Sequence, residues 1–110
     1  MKTCLCVALL ALTLGAQTLI VSTAEITCDS AAHAVSTTGI ARWVLFVAPA
    51  ANSGVVRVGD SNTGASRGIP VAAGAGYMMP SLGQSYPGYD LTKVYYYCTA
   101  SDKVNIQWAK

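Results

Sequence analysis

Through the body of the chain, apolar and polar positions alternate in short runs broken by glycine, proline, asparagine and aspartate. The period is two, that of a pleated strand with one face turned inward. Val56 and Val58 point to one face and Val55 and Arg57 to the other, while Val104, Ile106 and Trp108 point inward and Asn105 and Gln107 outward. Val55–Val71 reads as strand, glycine-rich turn, strand. Gly59, Asp60, Ser61 and Asn62 supply the turn chemistry, and Ile69, Pro70 and Val71 resume an extended course. Tyr77–Pro80 and Val94–Thr99 add two more short strands. Thr18–Thr23 and Glu25–Cys28 are β-branched and make one strand or two. Ile40–Ala48 is nearly continuous in apolar residues, which predicts a strand covered on both faces, by the domain core and by a partner.

Turn signals then suggest the pairing. Asn52-Ser53-Gly54 predicts a hairpin of Trp43–Ala48 with Val55–Val58, and Ser101-Asp102-Lys103 predicts a second hairpin of Val94–Thr99 with Val104–Trp108. Nothing beyond the N-terminal stretch carries a 3.6-residue period. The fold class is therefore all-β: a small antiparallel β-sandwich or barrel, jelly-roll-like, preceded by an apolar leader.

The leader has the layout of a secretory signal. Lys2 gives a positive end, Leu5–Leu14 an apolar core, and Gly15, Ala16, Ser22 and Ala24 small residues for cleavage. Two cuts fit: after Ala24, far from the apolar core, or after Gly15 with Thr13 upstream. The same stretch also reads as a retained apolar segment. As a membrane span it is interrupted by Gln17, Thr18, Ser22 and Thr23. The division is residues 1–22 as leader and 23–110 as one β-sandwich domain. With Cys4 and Cys6 inside the leader, Cys28 and Cys98 remain as a pair. They either bridge in an oxidising compartment or sit as two buried thiols.

Composition narrows the classes. Of 110 residues, 53% are hydrophobic and 11% charged, which excludes a disordered chain. A net charge of +2, with the basic residues scattered, gives no nucleic-acid footprint. Gly59-Asp60-Ser61 looks like a hydrolase nucleophile turn, but the single histidine, His33, precedes the serine and the body is short for that fold. The glycines from Gly54 to Gly76 lack the Gly-Lys-Ser/Thr of a phosphate loop. Asp29, Asp60, Asp90 and Asp102 stand apart and read as turn residues. No catalytic, metal or cofactor-binding residue follows. Tyrosines are the remaining candidates. Core packing accounts for about half of them, and Tyr86, Tyr89 and Tyr96 are the candidate contact aromatics.

Four segments carry a resemblance: Ala48-Pro-Ala-Ala-Asn-Ser-Gly-Val-Val-Arg-Val-Gly-Asp-Ser61, Ser66-Arg-Gly-Ile-Pro-Val-Ala-Ala-Gly74, Asp90-Leu-Thr-Lys-Val-Tyr-Tyr-Tyr97 and Ser101-Asp-Lys-Val-Asn-Ile-Gln-Trp108. Together they resemble small β structural proteins of tailed bacteriophages, of the capsid-decoration, head-fibre or tail-accessory kind. The resemblance implies a non-enzymatic virion protein whose partners are other virion proteins or itself, as a homo-oligomer. It implies no catalytic residue. No cofactor and no nucleic acid are expected, and a membrane only through the leader if that is retained. The alternative is a secreted or periplasmic β-sandwich that binds protein or glycan.

Overall fold

The computed structural model describes residues 19–81 and 86–110, and the leader up to residue 18, with Cys4 and Cys6, lies outside them. Among the described residues there are eleven strands and no helix: β1 (Ile20–Ser22), β2 (Ile26–Thr27), β3 (His33–Ala34), β4 (Ile40–Ala41), β5 (Trp43–Val47), β6 (Val56–Gly59), β7 (Ile69–Val71), β8 (Gly76–Met79), β9 (Tyr89–Asp90), β10 (Tyr95–Tyr97) and β11 (Lys103–Ala109). They form a five-stranded sheet in the order β1-β11-β5-β8, with β2 also on β11, and a four-stranded sheet in the order β3-β10-β6-β7. A small third pairing joins β4 to β9. All pairings are antiparallel.

The two larger sheets bury their inner faces in one core, as an antiparallel sandwich does. Val44 and Phe46 of β5 and Val104 and Ile106 of β11 meet Val56 and Val58 of β6 there. Burying a side chain of this size stabilises by about 1.5–3 kcal/mol. The alternation of β6 and β11 thus faces as their sequences require: Val56 and Val58 are buried, and so are Val104, Ile106 and Trp108. Among the described residues, the Trp108 indole Nε1 has no hydrogen-bond partner.

Two pairings and one strand differ from those the sequence predicts. β5 does not pair with β6. It lies between β11 and β8, while β6 lies between β10 and β7. β10 and β11 are not a hairpin either, since they belong to different sheets. The apolar run from Ile40 also breaks at Arg42 into β4, which pairs with β9, and β5, which pairs with β11 and β8. The strand–turn–strand reading of Val55–Val71 does hold: Val56, Arg57 and Val58 face Val71, Pro70 and Ile69 across β6–β7.

Both failed hairpins have one cause. The loops at Asn52–Gly54 and Ser101–Lys103 do not return the chain beside itself but carry it from one sheet to the other, and they bind each other. The Asp102 carboxylate accepts hydrogen bonds from Ser53 N–H at 2.8 Å, Ser53 Oγ at 3.0 Å and Gly54 N–H at 2.9 Å. The Asn52 amide donates to the Lys103 carbonyl at 2.7 Å and accepts from the Lys103 N–H at 2.8 Å, like one rung of a ladder. A sandwich corner and a tight hairpin use the same residue types, so local pattern does not separate them.

The residues just before the division also take part in the sheet. β1 spans Ile20–Ser22, upstream of the division placed at residue 23, and pairs with Gln107–Ala109 of β11.

Candidate functional site

The outer face of the five-stranded sheet is the surface that stands out. In-register rows cross it. One runs Ile20, Ala109, Trp43. The next runs Ser22, Gln107, Leu45, Met78, and a third runs Asn105, Val47, Gly76. No residue in these rows is charged. At about 4.8 Å between strands, the four strands make a face roughly 15–20 Å across. Ile20, Val47 and Met78 are exposed, and Trp43 and Leu45 are partly so. A shallow depression of about 220 Å³ runs along the seam beside Leu45, Val47, Asn105 and Gln107. Lys103 and Glu25 pair at one end of the face, Nζ to Oε1 at 3.4 Å. A solvated sheet face normally alternates to polar and charged residues. Here the outward set of β5 is Trp43, Leu45 and Val47, which is the apolar continuity seen in its sequence. The inner side is covered by the core; on the outer side Ala109 is buried between its neighbours, while Ile20, Val47 and Met78 stay exposed.

The outer face of the four-stranded sheet is different. Tyr95 and Tyr97 of β10 stand there with Arg57 of β6 and Pro70 of β7. The Arg57 guanidinium donates to the Gly68 carbonyl at 3.2 Å. β10 is registered so that Tyr96 lies opposite Val58 and His33. That turns Tyr96 inward with 8% of its surface left, and it corrects its choice as a contact aromatic. Burial pushes the Tyr96 hydroxyl pKa up, and the nearby Asp29 carboxylate adds to the rise. Of the other two chosen tyrosines, Tyr86 is 64% exposed, and Tyr89 is half-buried with its hydroxyl donating to the Pro80 carbonyl at 2.6 Å. The outward tyrosines that alternation could have offered are Tyr95 and Tyr97. Parity in a three-tyrosine run depends on register, which a single sequence does not fix.

Cys28 and Cys98 are joined as a disulfide, with Cα atoms 5.4 Å apart. Cys28 follows β2 of one sheet and Cys98 follows β10 of the other, so the bond ties the sheets together near the Asp102 corner. Ser101 N–H donates to the Cys28 carbonyl, and Cys28 N–H to the Asp102 carbonyl. Closing a loop of 70 residues stabilises by roughly 4 kcal/mol in the chain-entropy picture.

The aspartates each organise a turn. Asp60 accepts from Asn62 N–H through its carboxylate and from Thr63 N–H and Oγ1 through its carbonyl. Gly59 is required there, because a Cβ would meet Thr63 Oγ1 at 2.8 Å. Asp90 accepts from Thr92 N–H and Oγ1, which lowers its carboxyl pKa. Backbone N–H groups of Ser53 and Gly54 hold the Asp102 carboxyl below its ordinary range, against the opposing effect of burial. Asp29 is lowered chiefly by its hydrogen bond to His33, whose Nε2 lies 2.8 and 2.9 Å from the two carboxylate oxygens. That pair is well exposed, so it contributes little to stability.

Ser61 lies in a shallow depression with Asp60, Thr92, Lys93 and Tyr95, and His33 is not among its lining residues. Among the described residues no group of three or more His, Cys, Asp or Glu could hold a metal ion. The described residues hold no helix, and so none long and apolar enough to cross a membrane. The fold and surface thus define a small all-β sandwich with one uncharged outer sheet face. Comparison with protein-family models, curated proteins and solved structures finds no match to this chain.

Proposed function

We propose that this protein is a non-enzymatic structural component of a bacteriophage particle, of the capsid-decoration, head-fibre or tail-accessory kind. It acts through contacts with neighbouring subunits or with further copies of itself. One observation carries the reading: the uncharged outer face of the five-stranded sheet, with Ile20, Trp43, Leu45, Val47 and Met78 turned toward solvent. An apolar sheet face of this width is costly to leave in water and is suited to a subunit contact.

The resemblance to phage structural proteins supports it from another side. Its quoted segments include Asn52-Ser53-Gly54 and Ser101-Asp102-Lys103, and these two stretches clasp each other at the corner between the sheets. In this chain the quoted segments serve turns and a corner, as expected of a structural part. Sedimentation of the purified chain, with and without phage particles, tests the proposal. Oligomers or particle-bound protein are expected. A strictly monomeric chain that binds no particle would overturn it.

A second reading is an exported β-sandwich that binds protein or glycan. The Cys28–Cys98 bridge favours it, because such bonds persist in oxidising compartments. Intact mass before and after reduction of protein taken from cells decides whether the bridge exists there.

A further inference from the structure

We infer that β8 pairs edge to edge with β8 of a second copy of this chain, antiparallel and across a two-fold axis. This rests on the reading that the protein acts through contacts with copies of itself, and it names the backbone edge that makes one such contact. β8 ends the five-stranded sheet, with β5 on one side and no strand among the described residues on the other.

The free groups of that edge follow from the ladder. Ala48 N–H donates to the Ala75 carbonyl at 2.9 Å, and the Ala48 carbonyl accepts from Gly74 N–H at 2.8 Å. Alternation then turns the backbone groups of Tyr77 and Met79, opposite Phe46 and Val44, toward β5. It leaves the N–H and C=O groups of Gly76 and Met78 on the open side, and both residues are exposed.

Sheet edges are normally blunted by charge or proline. The other edges of the two larger sheets follow that rule. β7 carries Pro70, and His33 of β3 is paired with Asp29. β1 is bracketed by Lys110 beside Leu19 at one end and by Glu25 with Lys103 at the other. β8 carries neither device, and no residue from Gly68 to Tyr89 is charged. Pairing this edge with itself therefore brings no like charges together.

Self-pairing also has a register that fits. With Tyr77 facing Tyr77 on the axis, Gly76 of each copy faces Met78 of the other, and each such pair exchanges both N–H···O bonds. Gly76 has no side chain to crowd the opposing Met78, which lies exposed on the same sheet face. Pro80 has no N–H, and Gly74 N–H is already bonded to Ala48, so the ladder stops at these residues. The rotation sets the uncharged faces of both copies side by side and closes the contact. Adding β8 to β1 of the next copy would also be antiparallel, but it would leave open ends and grow without closing.

Sedimentation velocity and amide hydrogen exchange of the full-length chain over a range of concentrations test this, on wild type, Met78→Pro and Leu45→Asp. The contact is short beside a standard interface, so a dimer that forms with rising concentration is expected. The Gly76 and Met78 amides should gain protection as it forms, while those of Tyr77 and Met79 are protected throughout by β5. Met78→Pro removes a donor that β5 does not use; it should weaken dimerisation about tenfold or more and lose the Gly76 protection. Leu45→Asp, on the face and off the edge, should keep that protection. If Met78→Pro does not fold, the wild-type amides decide. Association without concentration-dependent protection at Gly76 and Met78, protection lost only in Leu45→Asp, or growth into an open series of sizes would overturn the edge pairing and leave the contact reading standing. A wild type that stays monomeric up to about 1 mM would overturn the pairing. If it also binds no phage particle, the contact reading falls with it.

Discussion

The two outer faces of the sandwich are built from the same kind of strand and end in opposite surfaces. On the four-stranded sheet the outward row holds Arg57, Tyr97 and Pro70. A charge meets solvent there, and a proline sits in the edge strand, where it removes a donor from the open edge. On the five-stranded sheet the outward rows hold Ile20, Trp43, Leu45, Val47 and Met78, and the polar members Ser22, Asn105 and Gln107 carry no charge. One face carries a charge to solvent, and the other carries none. The core beneath is common to both, so on the proposed reading stability and association depend on different residues even where those residues are adjacent.

Leu45 and Phe46 make that separation sharp. Phe46 is fully buried, and Leu45 points the other way. Phe46→Ala is expected to cost about 3–5 kcal/mol of folding stability, measured by denaturant unfolding. A loss below about 1 kcal/mol would mean that the inner face of β5 is not the core. The disulfide comes next, because it joins the sheets that bear the two faces. Cys98→Ala is expected to cost roughly 4 kcal/mol, read by the same titration against the oxidised wild type. If the variant unfolds at the wild-type midpoint, the sheets are held without the bond.

The Asp102 corner also joins the sheets and gives a dependence on pH. Its folded carboxyl pKa is lowered from an ordinary value of 3.8. Such a group stabilises the folded state above that value, and the contribution is lost as pH falls through the lower folded value. Asp102→Asn is therefore expected to lower the thermal midpoint at neutral pH, and the gap from wild type should close as the pH is taken below about 4. A gap that is constant with pH would assign the loss to shape rather than charge. The smallest effect is expected on the water-facing side: Arg57→Gln should stay within about 0.5 kcal/mol of wild type and leave association unchanged. A larger loss would show that this face, too, is more than a solvated surface.

Much of the fold was legible in the sequence where a period-two pattern had only one buried face to serve. Val56 and Val58, and Val104, Ile106 and Trp108, face inward for that reason. The aspartates were legible as turn residues because a short carboxylate beside its own backbone N–H groups has a local partner to bond. Pairing was not legible. Asn52-Ser53-Gly54 and Ser101-Asp102-Lys103 carry hairpin composition, and their true partners are each other, about 50 residues apart in sequence but joined at the corner. Tyr96 was misplaced because nothing local sets the parity of Tyr95–Tyr97. The uncharged face was half legible: the unbroken apolar character of Trp43–Val47 announced apolar residues on both sides of the strand, but Ile20 and Met78 join that surface only through strand order.

Sedimentation velocity on Leu45→Asp beside Arg57→Asp puts the contrast to its most direct test, since each places one carboxylate on an outer face and neither touches the core. The expected result is that Leu45→Asp weakens association roughly thirtyfold or more, the loss of a contact hot spot, while Arg57→Asp sediments as wild type. Equal association by all three chains, or a loss confined to Arg57→Asp, would contradict the assignment of the uncharged face as the contact surface.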